Sequence, residues 1–259
     1  MLVACGRWFR QPHDFEWILS HRSTRPLHGV IRAVFACATL LFALCSSVML
    51  FSSRGPSGVA ATAWVCLLLV AQVMVAARWC IGPMPTQRSF LAFAIFADIG
   101  LASVLMLNDP TGTLIGSVLF SVIGTFCTFF LSARWLVAHL AWSSGVILIA
   151  AISAYRGNTE DLATVVAGTL AILAAVNGVP LFVYVGWTAI SRDARQALFD
   201  PLTSLYNRRG LSGALTDLRN QTREHCSEVV VVVIDIDSFK HINDRLGHFV
   251  GDAVISAVA

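Results

Sequence analysis

The chain has 259 residues, of which 56% are hydrophobic and only 13% are charged, and its mean hydropathy is +0.72. A soluble domain carries roughly twice that share of charge, so the composition excludes an ordinary soluble protein and indicates that most of the chain lies in lipid. The net charge of +3 is small, and no lysine and arginine cluster interleaved with aromatic residues occurs, so nucleic acid is not an expected partner.

The first 29 residues form a polar, basic tail, and residues 30–190 follow as six apolar runs. Each run approaches or exceeds the roughly 20 residues that a membrane-spanning helix requires. The first run is not a cleavable signal peptide, because a long polar stretch precedes it and five further runs follow it. We therefore predict a six-helix transmembrane sensor region that contacts membrane lipid. The six runs are 30–51, 59–77, 90–107, 113–131, 135–154 and 162–190.

Basic residues around the six runs predict the orientation of the chain in the membrane. If all six runs span, most arginines fall on one side, which the positive-inside rule assigns to the cytoplasm. Both termini are then cytoplasmic. The arginines on this side are Arg7, Arg10, Arg22, Arg25, Arg78, Arg88, Arg134, Arg192 and Arg195, whereas the other side receives Arg54, Asp109, Arg156, Glu160 and Asp161.

Asp98 stands in the middle of the third run. An intramembrane carboxylate costs several kcal/mol unless it is paired or faces a wet cavity, which makes it a functional candidate. The competing interpretation is a hydrogen-bonded packing residue, with Gln72 or Asn177 as its partner. The sequence leaves both interpretations open.

Small residues in the fourth run predict a face for close helix packing. We expect this face to pack within one bundle, because small residues are common in spanning helices, and Pro180 could kink the sixth helix. The small residues are Gly112, Gly116, Ser117, Ser121, Gly124 and Thr125.

The seven cysteines form an odd set without a C-x-x-C pair, so neither a disulfide nor a metal framework is predicted.

Residues 191–199 continue at helical spacing and predict a signalling linker, which Pro201 ends because it disfavours helix at Asp200. A second helix is expected to start near Asn207, an acceptable N-cap, with three leucines on one face. These are Leu211, Leu215 and Leu218.

The run of valines and isoleucine at 229–234 predicts a strand buried on both faces. Asp235 and Asp237 follow at its carboxyl end, where open α/β sheets place their ligands. A further helix is expected over 244–259.

The motifs of this segment, in order and at their spacing, resemble the amino-terminal part of the GGDEF domain of diguanylate cyclases. The resemblance covers residues 200–259 only. The predicted fold is therefore an α-helical membrane bundle of about six transmembrane helices followed by a truncated α/β domain of the GGDEF, cyclase-like type. The motifs are Asp200-Pro-Leu-Thr-Ser-Leu-Tyr-Asn-Arg-Arg209, Asp235-Ile-Asp-Ser-Phe-Lys-His-Ile-Asn-Asp244, Gly247-His248 and Gly251-Asp252.

The resemblance implies a protein of the bacterial inner membrane that condenses two GTP molecules into cyclic di-GMP, as a homodimer whose two domains each hold one GTP. It also implies Mg²⁺, since phosphoryl transfer depends on positioning and charge neutralisation. Asp235 would hold the metal, with the main-chain carbonyl of Ile236 as a second ligand.

By the same resemblance, the GTP phosphates would lie against a turn formed by Ser238, Phe239 and Lys240. Its backbone N–H groups can face phosphate oxygens, and the Lys240 ammonium adds a charge. Asn243 and Asp252 would recognise guanine, because an amide and a carboxylate can pair with its polar edge. We expect Gly247 and His248 to be turn and helix-start residues. Asn207, Arg208 and Arg209 are expected to fix the first helix.

The Gly-Gly-Asp/Glu-Glu-Phe hairpin that defines the family does not occur in the sequence. It supplies a catalytic carboxylate, so no catalytic residue is assigned and the chain as written is expected to lack cyclase activity. A non-enzymatic membrane receptor or interaction protein with a degenerate GGDEF stub is the main alternative, which the reading frame after Ala259 would discriminate. A small-molecule transporter that depends on Asp98 is the third.

Overall fold

The computed structural model describes residues 28–82, 85–157, 161–225 and 230–259. The predicted basic tail therefore lies outside the described residues as far as position 27, including its four arginines. The chain divides into two compact units, Met1–Trp187 and Thr188–Ala259.

Among the described residues, six helical segments between His28 and Ala194 are long and apolar enough to cross a membrane. This finding confirms the predicted number of spans. Their bounds agree with the predicted runs to within a few residues at most ends. The fourth span combines two α-helices and a short 3₁₀ turn, Ser117–Leu119. The helices are α1 His28–Met49, α2 Val59–Ile81, α3 Gln87–Leu105, α4 Pro110–Gly116, α5 Phe120–Phe130, α6 Ala133–Arg156 and α7 Leu162–Gln196.

Side-chain caps set the starts of three spans. Thr86 Oγ1 accepts a hydrogen bond from the Ser89 N–H at the start of α3. Asp109 Oδ1 accepts from the Gly112 N–H at 2.8 Å, ahead of α4, and Asp161 Oδ1 accepts from the Thr164 N–H at 3.0 Å, ahead of α7. Each cap satisfies a backbone donor that has no partner within its helix.

An aromatic cluster joins α1, α2, α3 and α5. Phe90 is fully buried and stacks on Phe130 with ring centroids 4.8 Å apart. Phe35 contacts Phe126 edge-on at 5.0 Å, and Trp79 lies 5.4 Å from Phe90. Helix association in lipid depends on such packing, because the hydrophobic effect does not distinguish a protein interior from lipid tails. The cluster therefore fixes how these spans pack together.

Two glycines of the fourth span pack within the bundle, as predicted. A Cβ added to Gly116 would overlap Leu105. A Cβ added to Gly124 would lie 2.5 Å from Pro180 Cγ and 3.0 Å from His139 Nε2. These contacts bring α3, α6 and α7 against the fourth span, and α7 continues through Pro180.

Besides the end of α7, the second unit contains three helices in its described part: α8 Arg208–His225, α9 Phe239–Leu246 and α10 His248–Val258. An antiparallel bridge between Phe199 and Tyr206 precedes α8. The leucine face predicted for α8 is present, but Leu211, Leu215 and Leu218 are 40–49% exposed.

The predicted strand is not formed in the described residues. Residues 230–236 have no regular secondary structure, and the side chains from Val230 to Ile234 are 68–88% exposed; Val229 lies outside the described residues. A strand needs a neighbouring strand for its backbone hydrogen bonds, and the described segments contain no second strand to supply them. The α/β character predicted for this unit is therefore not seen.

The helix predicted over 244–259 is also corrected. A helix already begins at Phe239 and ends at Leu246. Gly247 separates it from α10, which starts at His248. Gly247 has a φ of 82°, a left-handed conformation that glycine adopts without steric cost. The prediction that Gly247 and His248 form a turn and a helix start is confirmed.

Candidate functional site

The residues predicted to contact phosphate surround the start of α9. Ser238 has a left-handed backbone with a φ of 55°. The Phe239 N–H donates to the Ile236 carbonyl at 3.3 Å, and the His241 N–H donates to the Ser238 carbonyl at 2.8 Å. Phe239 and Lys240 are therefore the first helical residues and not part of a free turn. A helix N-terminus favours anions, which suits the predicted phosphate contact.

The residues predicted to recognise guanine lie where α9 meets α10. Gly251 is buried, and a Cβ added there would overlap Asn243 Oδ1 and lie 3.3 Å from Phe239 Cζ. The Asn243 amide therefore rests on the backbone of α10, beside the residue that precedes Asp252. The Asp252 side chain is exposed.

The donor chemistry at the start of this segment fits Mg²⁺. Asp235 supplies an exposed carboxylate and Ile236 a carbonyl oxygen, both hard ligands of the kind that Mg²⁺ prefers. Mg²⁺ commonly takes one or two carboxylates and completes its octahedron with water and phosphate. Among the described residues, no three histidine, cysteine or acidic side chains converge on one point, so the chain offers a partial ligand set.

Asp200 organises the turn at the start of the motif region. Its Oδ1 accepts hydrogen bonds from the Thr203 N–H and the Thr203 hydroxyl, both at 3.0 Å, and from the Leu202 N–H at 3.1 Å. These bonds, those of Thr203 foremost, lower the pKa of the Asp200 carboxyl. Hydrogen bonds to the ionised form have this effect in general. The Asp-Pro-Leu-Thr motif therefore forms a turn that is held by hydrogen bonds to the Asp200 side chain.

Asn207 fixes the start of α8, as predicted. Its Oδ1 accepts from the backbone N–H groups of Arg209 and Gly210, both at 3.0 Å. Its Nδ2 donates to the Ala197 carbonyl at 2.9 Å. The side chain therefore caps α8 and ties it to the segment that follows α7.

A second candidate site lies in the membrane unit, where Asp98 on α3 meets His139 on α6. His139 Nδ1 lies 2.8 Å from Asp98 Oδ1, and the His139 side chain is 1% exposed against 15% for Asp98. The other ring nitrogen, Nε2, lies 3.1 Å from the Phe120 carbonyl oxygen. The pair therefore links α3 to α6, and His139 also contacts the backbone of α5.

His139 was not among the residues predicted from the sequence, and the two partners predicted for Asp98, Gln72 and Asn177, are wrong. Asn177 Nδ2 donates to Ser144 Oγ at 3.2 Å. Gln72 Oε1 is buried and has no hydrogen-bond partner within the described ranges. A second ionisable residue inside an apolar run is a signal in its own right, and His139 in the fifth run provides that signal.

A cavity of about 280 Å³ adjoins the Asp98–His139 pair. Helices α3, α5 and α6 form its walls. Apart from the pair, its lining is mostly apolar and includes Cys127 and two indole rings, those of Trp135 and Trp142.

Residues 197–259 match the family described as "Diguanylate cyclase, GGDEF domain". The diguanylate cyclase TpbB of Pseudomonas aeruginosa is 47% identical over 78 residues, which are 28% of this chain and 18% of TpbB. The diguanylate cyclase VdcA of Vibrio cholerae is 39% identical over 70 residues, 27% of this chain and 20% of VdcA. The response regulator PleD of Caulobacter vibrioides is 43% identical over 63 residues, 24% of this chain and 14% of PleD.

The chain thus spans about a fifth of the length of TpbB and VdcA. No solved structure matches the chain.

Proposed function

We propose that the protein is a membrane-bound signalling protein whose C-terminal segment takes part in converting two GTP molecules into cyclic di-GMP, because residues 197–259 match the GGDEF domain family. The family match is the observation that carries the proposal. Six helices long and apolar enough to span a membrane precede the segment and support the membrane-bound part.

Within this function, Asp235 and the Ile236 carbonyl would hold Mg²⁺. The bound metal would offset negative charge on the GTP phosphates. The start of α9 supports phosphate binding by Ser238, Phe239 and Lys240, because its helix N-terminus and the Lys240 ammonium both favour an anion.

Asn243 and Asp252 would recognise guanine at the junction of α9 and α10. The packing of Asn243 against Gly251 supports this assignment, because it holds the amide against the residue that precedes Asp252. An amide and a carboxylate together present the donor and acceptors that the guanine edge requires. Replacing Gly251 by alanine would displace the Asn243 side chain, and we expect it to weaken guanine binding.

Residues 229–234 would form a central strand when the neighbouring strands of a GGDEF sheet are present. Five exposed β-branched residues in succession, Val230 to Ile234, support this assignment. Such residues pack well on a pleated surface and are costly to leave in water.

The activity can be tested with a chimera. Residues 1–259 are joined to the part of VdcA that follows the matched region, and membranes that contain the chimera are incubated with GTP and Mg²⁺. Cyclic di-GMP, measured by mass spectrometry, is expected. Asp235→Asn should abolish the product, and Asn243→Ala should raise the KM for GTP more than it lowers kcat.

A matched control chimera carries the VdcA sequence in place of residues 197–259 behind the same membrane region. If the control makes cyclic di-GMP and the test chimera does not, this segment is not competent for cyclase function. That result would favour a non-enzymatic receptor that keeps a GGDEF-like segment.

The membrane-bound part of the function also requires the GGDEF segment to face the cytoplasm, where GTP is. Arginines at the ends of the spans support this orientation, namely Arg78, Arg88, Arg134 and Arg192. A fluorescent protein that matures only in the cytoplasm, fused after Ala259, should be fluorescent. If the fusion is present in the membrane but not fluorescent, the C-terminal segment lies outside the cytoplasm and the proposed orientation is wrong.

A further inference from the structure

The accessible end of the Asp98–His139 pair is a carboxylate. The His139 ring is almost fully buried behind it, whereas the Asp98 side chain keeps 15% of its surface exposed and lines the cavity of about 280 Å³. A carboxylate accepts hydrogen bonds and attracts cations, and a low-dielectric surrounding strengthens both effects. The polar group that the cavity presents to an occupant is therefore the carboxyl group of Asp98, which is an anion whenever the proton it shares with His139 is on the ring or has left.

The hydrogen bonds of His139 define how many protons the pair holds. The Phe120 carbonyl can only accept, so His139 Nε2 carries a hydrogen and donates it. The 2.8 Å contact between Nδ1 and Asp98 Oδ1 then requires one further proton, on either the ring or the carboxyl. The pair thus shares a single exchangeable proton and is neutral overall.

Two indole rings line the same cavity as the Asp98 carboxyl group. Trp135 and Trp142 stand four residues before and three residues after His139 on α6, and both line the cavity. The Trp142 N–H donates to the Asp98 carbonyl at 3.4 Å, which places this ring beside Asp98. Indole faces attract organic cations, most strongly where water is excluded. A carboxyl group and two indole rings that line one mostly apolar cavity are the chemistry that recognises an ammonium group.

The depth of the cavity restricts the ligand further. Asp98 stands seven residues from the C-terminal end of α3, which places it roughly 10 Å from the nearer end of that helix. Lipid headgroup amines lie at the membrane surface, whereas this carboxylate lies near the middle of a span. The other lining residues are mostly apolar, and Ile95 and Ile99 are 42% and 54% exposed beside it. The ligand must therefore be soluble in lipid.

We propose that this cavity binds a lipophilic organic ammonium ion, and that binding displaces the proton shared by Asp98 and His139. The reaction is balanced: the ammonium ion pairs with the Asp98 carboxylate, His139 becomes neutral, and one proton leaves. His139 keeps its Nε2 hydrogen and its bond to the Phe120 carbonyl throughout. The thiol of Cys127 is the ionisable group that α5 contributes to the cavity lining.

Displacement of a proton makes ligand affinity depend on pH. While the pair holds its shared proton, each unit rise in pH should tighten binding of the ammonium ion by about tenfold, provided that the ligand stays charged. A neutral ligand of the same shape displaces no proton, so its affinity should not follow pH. This site is independent of the proposed cyclase function.

The test uses the full chain in lipid nanodiscs and two probes of equal length, n-decylamine and n-decanol. Isothermal titration calorimetry is performed in two buffers that differ in ionisation enthalpy, with empty nanodiscs as the blank. For the unsubstituted protein we expect the amine to bind at least about tenfold more tightly than the alcohol, with release of about one proton per amine bound.

Two substitutions make the outcome specific. Asp98→Asn should bring the amine-to-alcohol affinity ratio close to one, and Trp142→Leu should lower it while decanol binding is retained. Ser144→Ala is the matched control, because it removes a contact between α6 and α7 outside the cavity and should leave the ratio unchanged. Equal binding of the two probes to the unsubstituted protein, or a ratio that survives both substitutions, would overturn the proposal.

Discussion

In the membrane unit a set of large apolar side chains is fully buried, whereas in the C-terminal unit the longest apolar run lies at the surface. Phe90, Phe120 and Leu136 are 0% exposed, but Val233 is 88% exposed. Both regions are rich in apolar residues, so hydrophobicity does not explain the difference. The difference lies in where each kind of element finds its backbone hydrogen bonds.

A helix satisfies its backbone from its own residues, and six such helices can then bury their side chains against one another. A strand satisfies its backbone only from a neighbour. The run from Val230 to Ile234 has the composition of a strand but no partner strand in the described residues. The comparison shows that local sequence is sufficient for the spans and insufficient for the sheet.

The largest expected effect comes from breaking the Asp98–His139 pair. His139→Leu leaves the Asp98 carboxylate without its partner in the bundle interior, and we expect a loss of about 3 kcal/mol in the free energy of unfolding. Reversible unfolding in mixed micelles, followed by helix content, measures this loss.

The double substitution Asp98→Leu with His139→Leu is the control for that prediction. It removes both polar groups, so stability should return to within about 1 kcal/mol of the unsubstituted protein. If the double variant is as unstable as His139→Leu, the cost comes from lost packing of the imidazole ring, and the pair would not be what holds α3 against α6.

The next largest effect concerns close packing in the same unit. Gly124→Ala places a methyl group 2.5 Å from Pro180 Cγ and 3.0 Å from His139 Nε2, and such overpacking should cost about 1–3 kcal/mol. Gly168→Ala is the matched control, since a Cβ at Gly168 has no neighbour within 4 Å, and it should be neutral or stabilising by up to about 1 kcal/mol. Equal effects of the two substitutions would contradict the predicted role of Gly124 as a contact point.

A pair of valine substitutions compares the two units directly. Val65 is fully buried in α2, whereas Val233 is 88% exposed. Val65→Ala should cost about 1–2 kcal/mol because it leaves a small cavity, and Val233→Ala should stay within about 0.5 kcal/mol. The same micelle unfolding assay measures both variants. A large cost at Val233 would mean that the run is paired in solution, as the strand prediction requires.

The six spans could be predicted because length and hydropathy determine them locally, and their bounds agree with the sequence to within a few residues at most ends. The partner of Asp98 could not be predicted in this way. His139 lies 41 positions away on another helix, and their contact depends on how α3 and α6 pack. Hydropathy identifies Asp98 and His139 as polar residues within apolar runs, but it does not indicate that they contact each other.

The same division applies to the GGDEF segment. The cap at Asn207 was predicted correctly because its hydrogen bonds reach only two and three residues ahead. The start of α9 was placed five residues late, since Ser238 adopts a left-handed conformation that its residue type does not favour. The roles of Asp235, Asn243 and Asp252 came from the family resemblance, and they stay predictions.

The smallest expected effect is a pH dependence confined to the turn at Asp200. Because hydrogen bonds from Thr203 and Leu202 lower the pKa of the Asp200 carboxyl in the folded turn, the ionised group stabilises the turn above the ordinary aspartate pKa. That stabilisation is lost as the pH falls through the lowered value. With ¹⁵N-labelled threonine, the Thr203 amide signal should titrate in acid, and Asp200→Asn should remove this titration. Asp237→Asn, which changes a carboxylate outside the turn, should leave it intact. A Thr203 signal that still titrates in Asp200→Asn would show that another group controls the turn, and the C-terminal unit would then depend on more than its local hydrogen bonds.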